Sequence, residues 1–160
     1  MKLDDTDKKI LDRLQSDANI TNAQLASEFN VSQAGMLERV KRLENSGVIK
    51  RYVALVDGEK VGRGMSAFIS VSLSVHQLNS IDSFKQEIIK LSEVLECYYV
   101  AGEEDFILKI AVRNMQEYEN FLLHKLTKIG GVSKVKTTFV LSPVKYDTKI
   151  EINSNTIESV

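Results

Sequence analysis

Residues 21 to 52 constrain the fold most, because two short amphipathic stretches joined by a tight break can only become two steeply crossing helices. Thr21 can cap a first helix over residues 22–29, in which Leu25, Ala26 and Phe29 fall on one face. Asn30-Val31-Ser32 breaks that helix, and Ser32 can cap a second one in which Met36, Val40 and Leu43 recur at i, i+4 and i+7. Gly47 is the expected C-terminal stop. Such a pair has the geometry of a helix-turn-helix, whose second helix lies in the major groove of double-stranded DNA.

The faces of the second helix say which residues would do what. At about 100° per residue, Met36, Leu37, Val40, Leu43 and Glu44 share one side, while Ala34, Gly35, Glu38 and Arg42 point the other way. Arg39 and Lys41 stand on the flanks. The first turn, Ser32, Gln33, Ala34 and Gly35, carries small or amide side chains that suit close approach to base edges, with Glu38 one turn on. Arg39, Lys41, Arg42, Lys50 and Arg51 are placed for phosphates, where they add affinity and register more than sequence choice. Any solvated helix face can carry Arg and Lys. The capped, correctly spaced helix before this one is what favours DNA.

Charge agrees only locally. The chain has a formal net charge of −1, so no global field draws it to nucleic acid. Between residues 31 and 56, however, five basic side chains face two acidic ones, Glu38 and Glu44. A modest basic patch gives weak grip per subunit, which suits a protein that binds with several copies side by side.

Other classes are hard to build from these residues. One cysteine, Cys97, excludes an intramolecular disulfide and a multi-cysteine zinc site, and reads as a small apolar residue in a strand. The two histidines, His76 and His124, have no neighbours that suggest a metal or a nucleophile pair, and no glycine-rich phosphate loop is present. No catalytic residue, no metal and no cofactor are therefore expected. No apolar run approaches a membrane span, and the start, Met1-Lys2-Leu3-Asp4-Asp5, is too acidic for a signal peptide. The expectation is a cytoplasmic protein without a membrane partner.

Periodicity divides the chain. A helix from about Asp4 to Ser16, with Ile10, Leu11 and Leu14 buried, completes a helical head over residues 1–50. The β-branched segment 48–56 reads as an exit strand, and residues 57–64 hold three glycines in eight, so 51–64 is strand and hinge. Residues 65–146 then run strand (65–74), helix (81–92), strand (94–101), strand (106–112), helix (115–129) and strand (132–144). The order βαββαβ predicts an antiparallel sheet of four strands with helices on one face, and apolar side chains on the other with nothing from the same chain to cover them. A second subunit is the expected cover, with a ligand-sized cleft at the joint. The tail, 147–160, is polar, with a short edge strand expected at 149–152.

Three blocks also carry a family resemblance. Leu37-Glu38-Arg39-Val40-Lys41-Arg42-Leu43-Glu44 with Gly47-Val48-Ile49 resembles the recognition-helix signature of the Lrp/AsnC, or feast/famine, regulators. Leu3-Asp4-Asp5-Thr6-Asp7 with Ile10-Leu11 resembles that family's start, and Glu96 to Lys109 resembles its G-x-x-D ligand-sensing loop between strands, here Gly102-Glu103-Glu104-Asp105. The likeness spans about residues 2–150, with the blocks in order. It implies an α+β protein: a winged-type helix-turn-helix head joined to a βαββαβ, ferredoxin-like (RAM-type) effector domain. It further implies a transcriptional regulator that forms dimers and a tetramer of dimers, with an amino acid bound between dimers. Carried over by position, the effector residues would be Tyr99, Ala101, Gly102, Glu103, Glu104 and Asp105, with Thr138 and Val140 from the partner side. Asp105 would take the ligand's ammonium group or fix the loop, and Gly102 would let the backbone come close. A Gly-x-x-Asp turn between strands is otherwise an ordinary hairpin.

The chain departs from the family where Gln33 and Gly35 replace prolines, Met36 replaces a cysteine, and Ala101 replaces a small hydroxyl residue. The last change removes one hydrogen bond to an effector and argues against leucine-like or asparagine-like specificity. The rival reading is a stand-alone amino-acid-binding ferredoxin-like module without DNA regulation, against which the basic second helix speaks.

Overall fold

The computed structural model describes residues 2–74 and 78–152. Contacts divide the described residues into two compact units, one made of 2–54 with 145–152, the other of 55–74 with 78–144.

The first unit is helical. Helices α1 (Asp5–Ser16), α2 (Asn22–Glu28) and α3 (Gln33–Asn45) each begin on a side-chain cap that supplies an acceptor to an otherwise unpaired backbone N–H. Asp4 and Asp7 form a reciprocal capping box on α1, as Thr21 and Gln24 do on α2. Asn30, at φ 53°, takes the left-handed conformation that ends α2, and Gly47, at φ 74°, does so after α3. Ile10, Leu11, Leu14, Leu25, Ala26, Met36, Val40 and Leu43 form the core, so each expected apolar stripe faces inward. Leu37 and Glu44 do not join it, and Leu37 is 41% exposed.

Two expectations for this unit change. Residues 48–56, expected as an exit strand, form none, although several of their side chains are suitably β-branched, because extended backbone becomes a strand only against a hydrogen-bonding partner. Residues 149–152 likewise make no edge strand; they lie along α1. The Ile150 N–H donates to Gln15 Oε1 at 2.7 Å, and Gln15 Nε2 donates back to the Ile150 carbonyl at 3.0 Å. Lys149 Nζ reaches Asp12 at 2.8 Å and the Ser16 hydroxyl at 3.1 Å, and Ile152 packs on the helical core.

The second unit is a sheet with helices. Strands β1 (Met65–Leu73), β2 (Val94–Tyr99), β3 (Phe106–Val112) and β4 (Val132–Phe139) pair antiparallel in the order β2-β3-β1-β4. Helices α4 (Leu78–Ile88) and α5 (Met115–His124), followed by a 3-10 turn at Leu126–Lys128, complete the βαββαβ order. Ala67, Ile69, Val71 and Leu73 of β1 alternate inward with Phe106, Leu108, Ile110 and Val112 of β3, and Phe84, Ile88, Phe121 and Leu126 close the core from the helices. Strand β4 stops short of residue 144: the Val140 N–H still reaches the Ser66 carbonyl at 2.9 Å, but β1 begins at Met65 and offers nothing to pair beyond. Pro143 also lacks a donor.

The uncovered sheet face is more mixed than the pattern suggested. By the register, Ser66, Phe68, Ser70 and Ser72 of β1 share it with Ile107 and Lys109 of β3, Lys134, Lys136 and Thr138 of β4, and Glu96 and Tyr98 of β2. Phe68 and Tyr98 are 44% and 54% exposed. The aromatic patch is thus set among hydroxyls and charges.

Candidate nucleic-acid interface and effector loop

Helix α3 presents the expected face to solvent. Ser32, Gln33, Ala34, Glu38 and Lys41 are exposed, Gly35 is half-buried, and a shallow groove of about 710 Å³ runs along Ala34, Leu37, Glu38, Lys41, Arg42, Asn45 and Ser46. Ser32 Oγ accepts from the Gly35 N–H at 3.1 Å, so the start of the helix is fixed by its own cap. A Cβ built at Gly35 would lie 3.1 Å from that oxygen. Glycine here leaves room for the cap.

The five cations expected at phosphates fall into two groups. Lys41, Lys50 and Arg51 are exposed, and none of them is ion-paired among the described residues. Arg39 and Arg42 are instead drawn back onto α1. Arg39 Nη1 donates to Asp4 at 2.6 Å and to Asp7 at 2.8 Å, while Arg42 Nη2 meets both Asp7 oxygens at 2.7 Å. The Asp7 side chain is 1% exposed and also accepts from the Asp4 backbone N–H at 3.2 Å. The Arg39 guanidinium and the Asp7 N–H together hold the Asp4 carboxyl below the usual carboxylate range. The partners are more than thirty residues away in sequence, so no local signal showed them. Past the helix, Tyr52 donates to Glu44 at 3.0 Å, which ties the exit segment to α3.

The G-x-x-D loop joins β2 to β3 and is anchored by its aspartate. Asp105 Oδ2 accepts from the Leu73 N–H at 2.7 Å, the Asp105 N–H donates to the Val71 carbonyl at 3.0 Å, and Val100 donates to the Asp105 carbonyl at 2.9 Å. Of the two roles read for Asp105, fixing the loop is the one its geometry displays. Ala101, Gly102 and Glu103 are exposed, and Glu104 is half-buried. Gly102 has no positive φ, and an added Cβ would meet nothing within 4 Å. The chain's own packing thus makes no demand for glycine there. Tyr99 lays its ring on Phe106, centroids 5.1 Å apart, beneath the Lys85 ammonium at 5.3 Å.

Thr138 and Val140 do not join this loop within one chain. Thr138 pairs with Phe68 and Val140 with Ser66, near the start of β1, whereas the loop sits where β1 ends. Thr138 lies on the edge strand β4 and Val140 just past its end, whereas the loop leaves the opposite edge strand, β2. His124 is exposed at the end of α5, and His76 lies outside the described residues. Among the described residues no group of three His, Cys, Asp or Glu could hold a metal ion, and no helix is long and apolar enough to cross a membrane. Cys97 is half-buried on β2, and burial pushes its thiol up.

A capped helix-turn-helix with an open second helix, followed by a four-stranded βαββαβ unit, defines a DNA-binding regulator with an appended ligand-binding domain. Residues 3–50 match the family model for a winged helix-turn-helix DNA-binding domain, and residues 66–150 match that for the Lrp/AsnC ligand binding domain. Transcriptional regulator AzlB of Bacillus subtilis is 36% identical over 151 residues, 94% of this chain and 96% of that protein. The leucine-responsive regulatory protein of Escherichia coli is 32% identical over 152 residues, 95% of this chain and 93% of its own length. Among solved structures, a transcriptional regulator from Neisseria meningitidis in complex with L-Met superposes with a TM-score of 0.89 at 34% identity, covering 95% of this chain and 98% of that one. The chain belongs to the Lrp/AsnC family of transcriptional regulators.

Proposed function

We propose that this regulator binds its operator as an assembly of dimers whose geometry is set by an amino acid held between them. The observation that carries the reading is the separation of Thr138 and Val140 from the Gly102–Asp105 loop. A ligand that touches both sets has to bridge copies of the chain. Gly102 is consistent with it, since its exposed backbone leaves room for close approach from outside. The uncovered sheet face supports dimers, because Phe68, Ile107 and Tyr98 give it an apolar part that its own chain leaves open, while Glu96 is already paired with Lys109 at 2.9 Å. The L-Met in the Neisseria structure makes methionine the first effector to try.

On DNA, the Ser32–Gly35 turn and Glu38 would face the bases, and Lys41, Lys50 and Arg51 the phosphates. The effector acts only through its different affinity for two assemblies, and by linkage DNA then alters effector affinity by the same factor. No catalytic step is needed, and the site of action is the cytoplasm, where such DNA is met. Light scattering and duplex binding with each common amino acid test the reading. An amino acid that changes both mass and DNA affinity upholds it; a panel in which none changes either overturns it.

A further inference from the structure

We propose that Asp7 is the positioning residue of the recognition helix, holding α3 against α1 by claiming Arg39 and Arg42, so that these two arginines contribute orientation but not phosphate contact. The inference rests on α3 being the DNA helix and departs from the expectation that all five cations of the segment meet DNA.

The argument begins with what a buried carboxylate needs. Asp7 is 1% exposed at its side chain, and an unpaired charge there would be strongly unfavourable. Three donors answer it: the Asp4 N–H on Oδ2, Arg39 on Oδ1, and Arg42 on both oxygens. Arg39 sits three residues before Arg42, so the two guanidiniums leave adjacent points on one helix face and converge on one anion. Planar guanidinium forks fix direction as well as distance. Apolar burial between α1 and α3 is non-directional, whereas this ionic joint adds a direction and a register. Asp4 adds the second carboxylate, so two arginines and two aspartates cancel in charge beside the groove. The cations left to neutralise phosphates are Lys41, Lys50 and Arg51.

Counterion release separates the two kinds of cation, since each phosphate contact contributes about −0.9 to the slope of log K against log salt. The experiment measures that slope on a random-sequence duplex, together with the affinity ratio between that duplex and one selected from a random pool by the native protein. Lys41→Gln and Lys50→Gln test the underlying DNA reading, and each is expected to shallow the slope by about 0.9 per engaged subunit. Arg39→Gln and Arg42→Gln are expected to leave the slope native but to lower the ratio at least tenfold, with a lower melting temperature of the head. Asp7→Asn releases Arg42 and leaves Arg39 only its Asp4 contact, so its slope steepens while its ratio collapses; a merely structural aspartate would not steepen the slope. If Asp7→Asn does not fold, the arginine variants decide alone, because each leaves Asp7 one guanidinium. Slopes that shallow by about 0.9 in Arg39→Gln or Arg42→Gln would overturn the proposal. So would a native ratio in both.

Discussion

The two units hold themselves together by different means. Among the described residues, thirteen buried apolar side chains close the sheet unit, drawn from the two central strands β1 and β3, both helices and the turn after α5. The head has eight, from three short helices, and surrounds them with ionic and polar clamps: the Asp7 joint, Arg13 with Glu28 at 3.2 Å, and the returning tail on Gln15 and Asp12. A small unit buries a smaller share of its surface, so directional contacts carry more of its stability. Of these clamps only the Asp7 joint touches α3, so a cut there bears on both the stability of the head and the setting of that helix. In the sheet unit the core lies on one face, and the expected effector loop stands clear of it.

Equal cuts in both cores sharpen this contrast most. Leu25→Ala and Leu108→Ala each remove a fully buried leucine, at about 2–5 kcal/mol. Calorimetry should show the head melting far below the sheet unit in the first variant and a smaller fractional loss in the second. Coincident transitions in both would mean that the units are one cooperative body.

Asp105→Ala should come next, costing about 1–3 kcal/mol because the Leu73 N–H loses its acceptor. Faster amide exchange at Leu73 and Asp105, with the head unchanged, is the expected signature. A native exchange pattern would return Asp105 to a purely ligand-facing role.

Ile152→Asp should lower the head transition by about 1 kcal/mol, since it removes a partly buried apolar contact from a core of eight. The sheet transition should not move. If neither moves, the tail's clamp on α1 is idle in solution.

Gly35→Ala should give the smallest change. The helix gains about 1 kcal/mol of propensity, but the new Cβ at 3.1 Å crowds the Ser32 cap. Near-native melting with altered duplex affinity is expected; a full gain in stability would show that the cap shifts freely.

Legibility followed the range of the interaction. The caps at Thr21 and Ser32, the stops at Asn30 and Gly47 and the inward stripes of all three head helices could be read because each needs only residues within a few positions. The βαββαβ order and an antiparallel sheet of four strands were readable from changes of period, while the strand order β2-β3-β1-β4 came from the structure. The segment 48–56 misled because β-branched composition describes a willingness to pair, not a partner. The strand ending at residue 139 was misjudged for the same reason: the length of a strand is set by its neighbour.

In the candidate sites, residue types were legible but their commitments were not. Arg39 and Arg42 looked equivalent to Lys41, yet Asp7 claims them from thirty-two and thirty-five residues away. Nothing in the local pattern around Asp105 showed that Leu73 would occupy its carboxylate. Nor did spacing reveal that Thr138 and Val140 would stand at the other end of the sheet from the loop. Sequence alone determined the helix-turn-helix, the effector fold and the chemistry available on each face, because those depend on short-range backbone propensity and period. Tertiary structure decided which charges remain free for a ligand, because a buried carboxylate takes whatever donors the packed chain brings within reach.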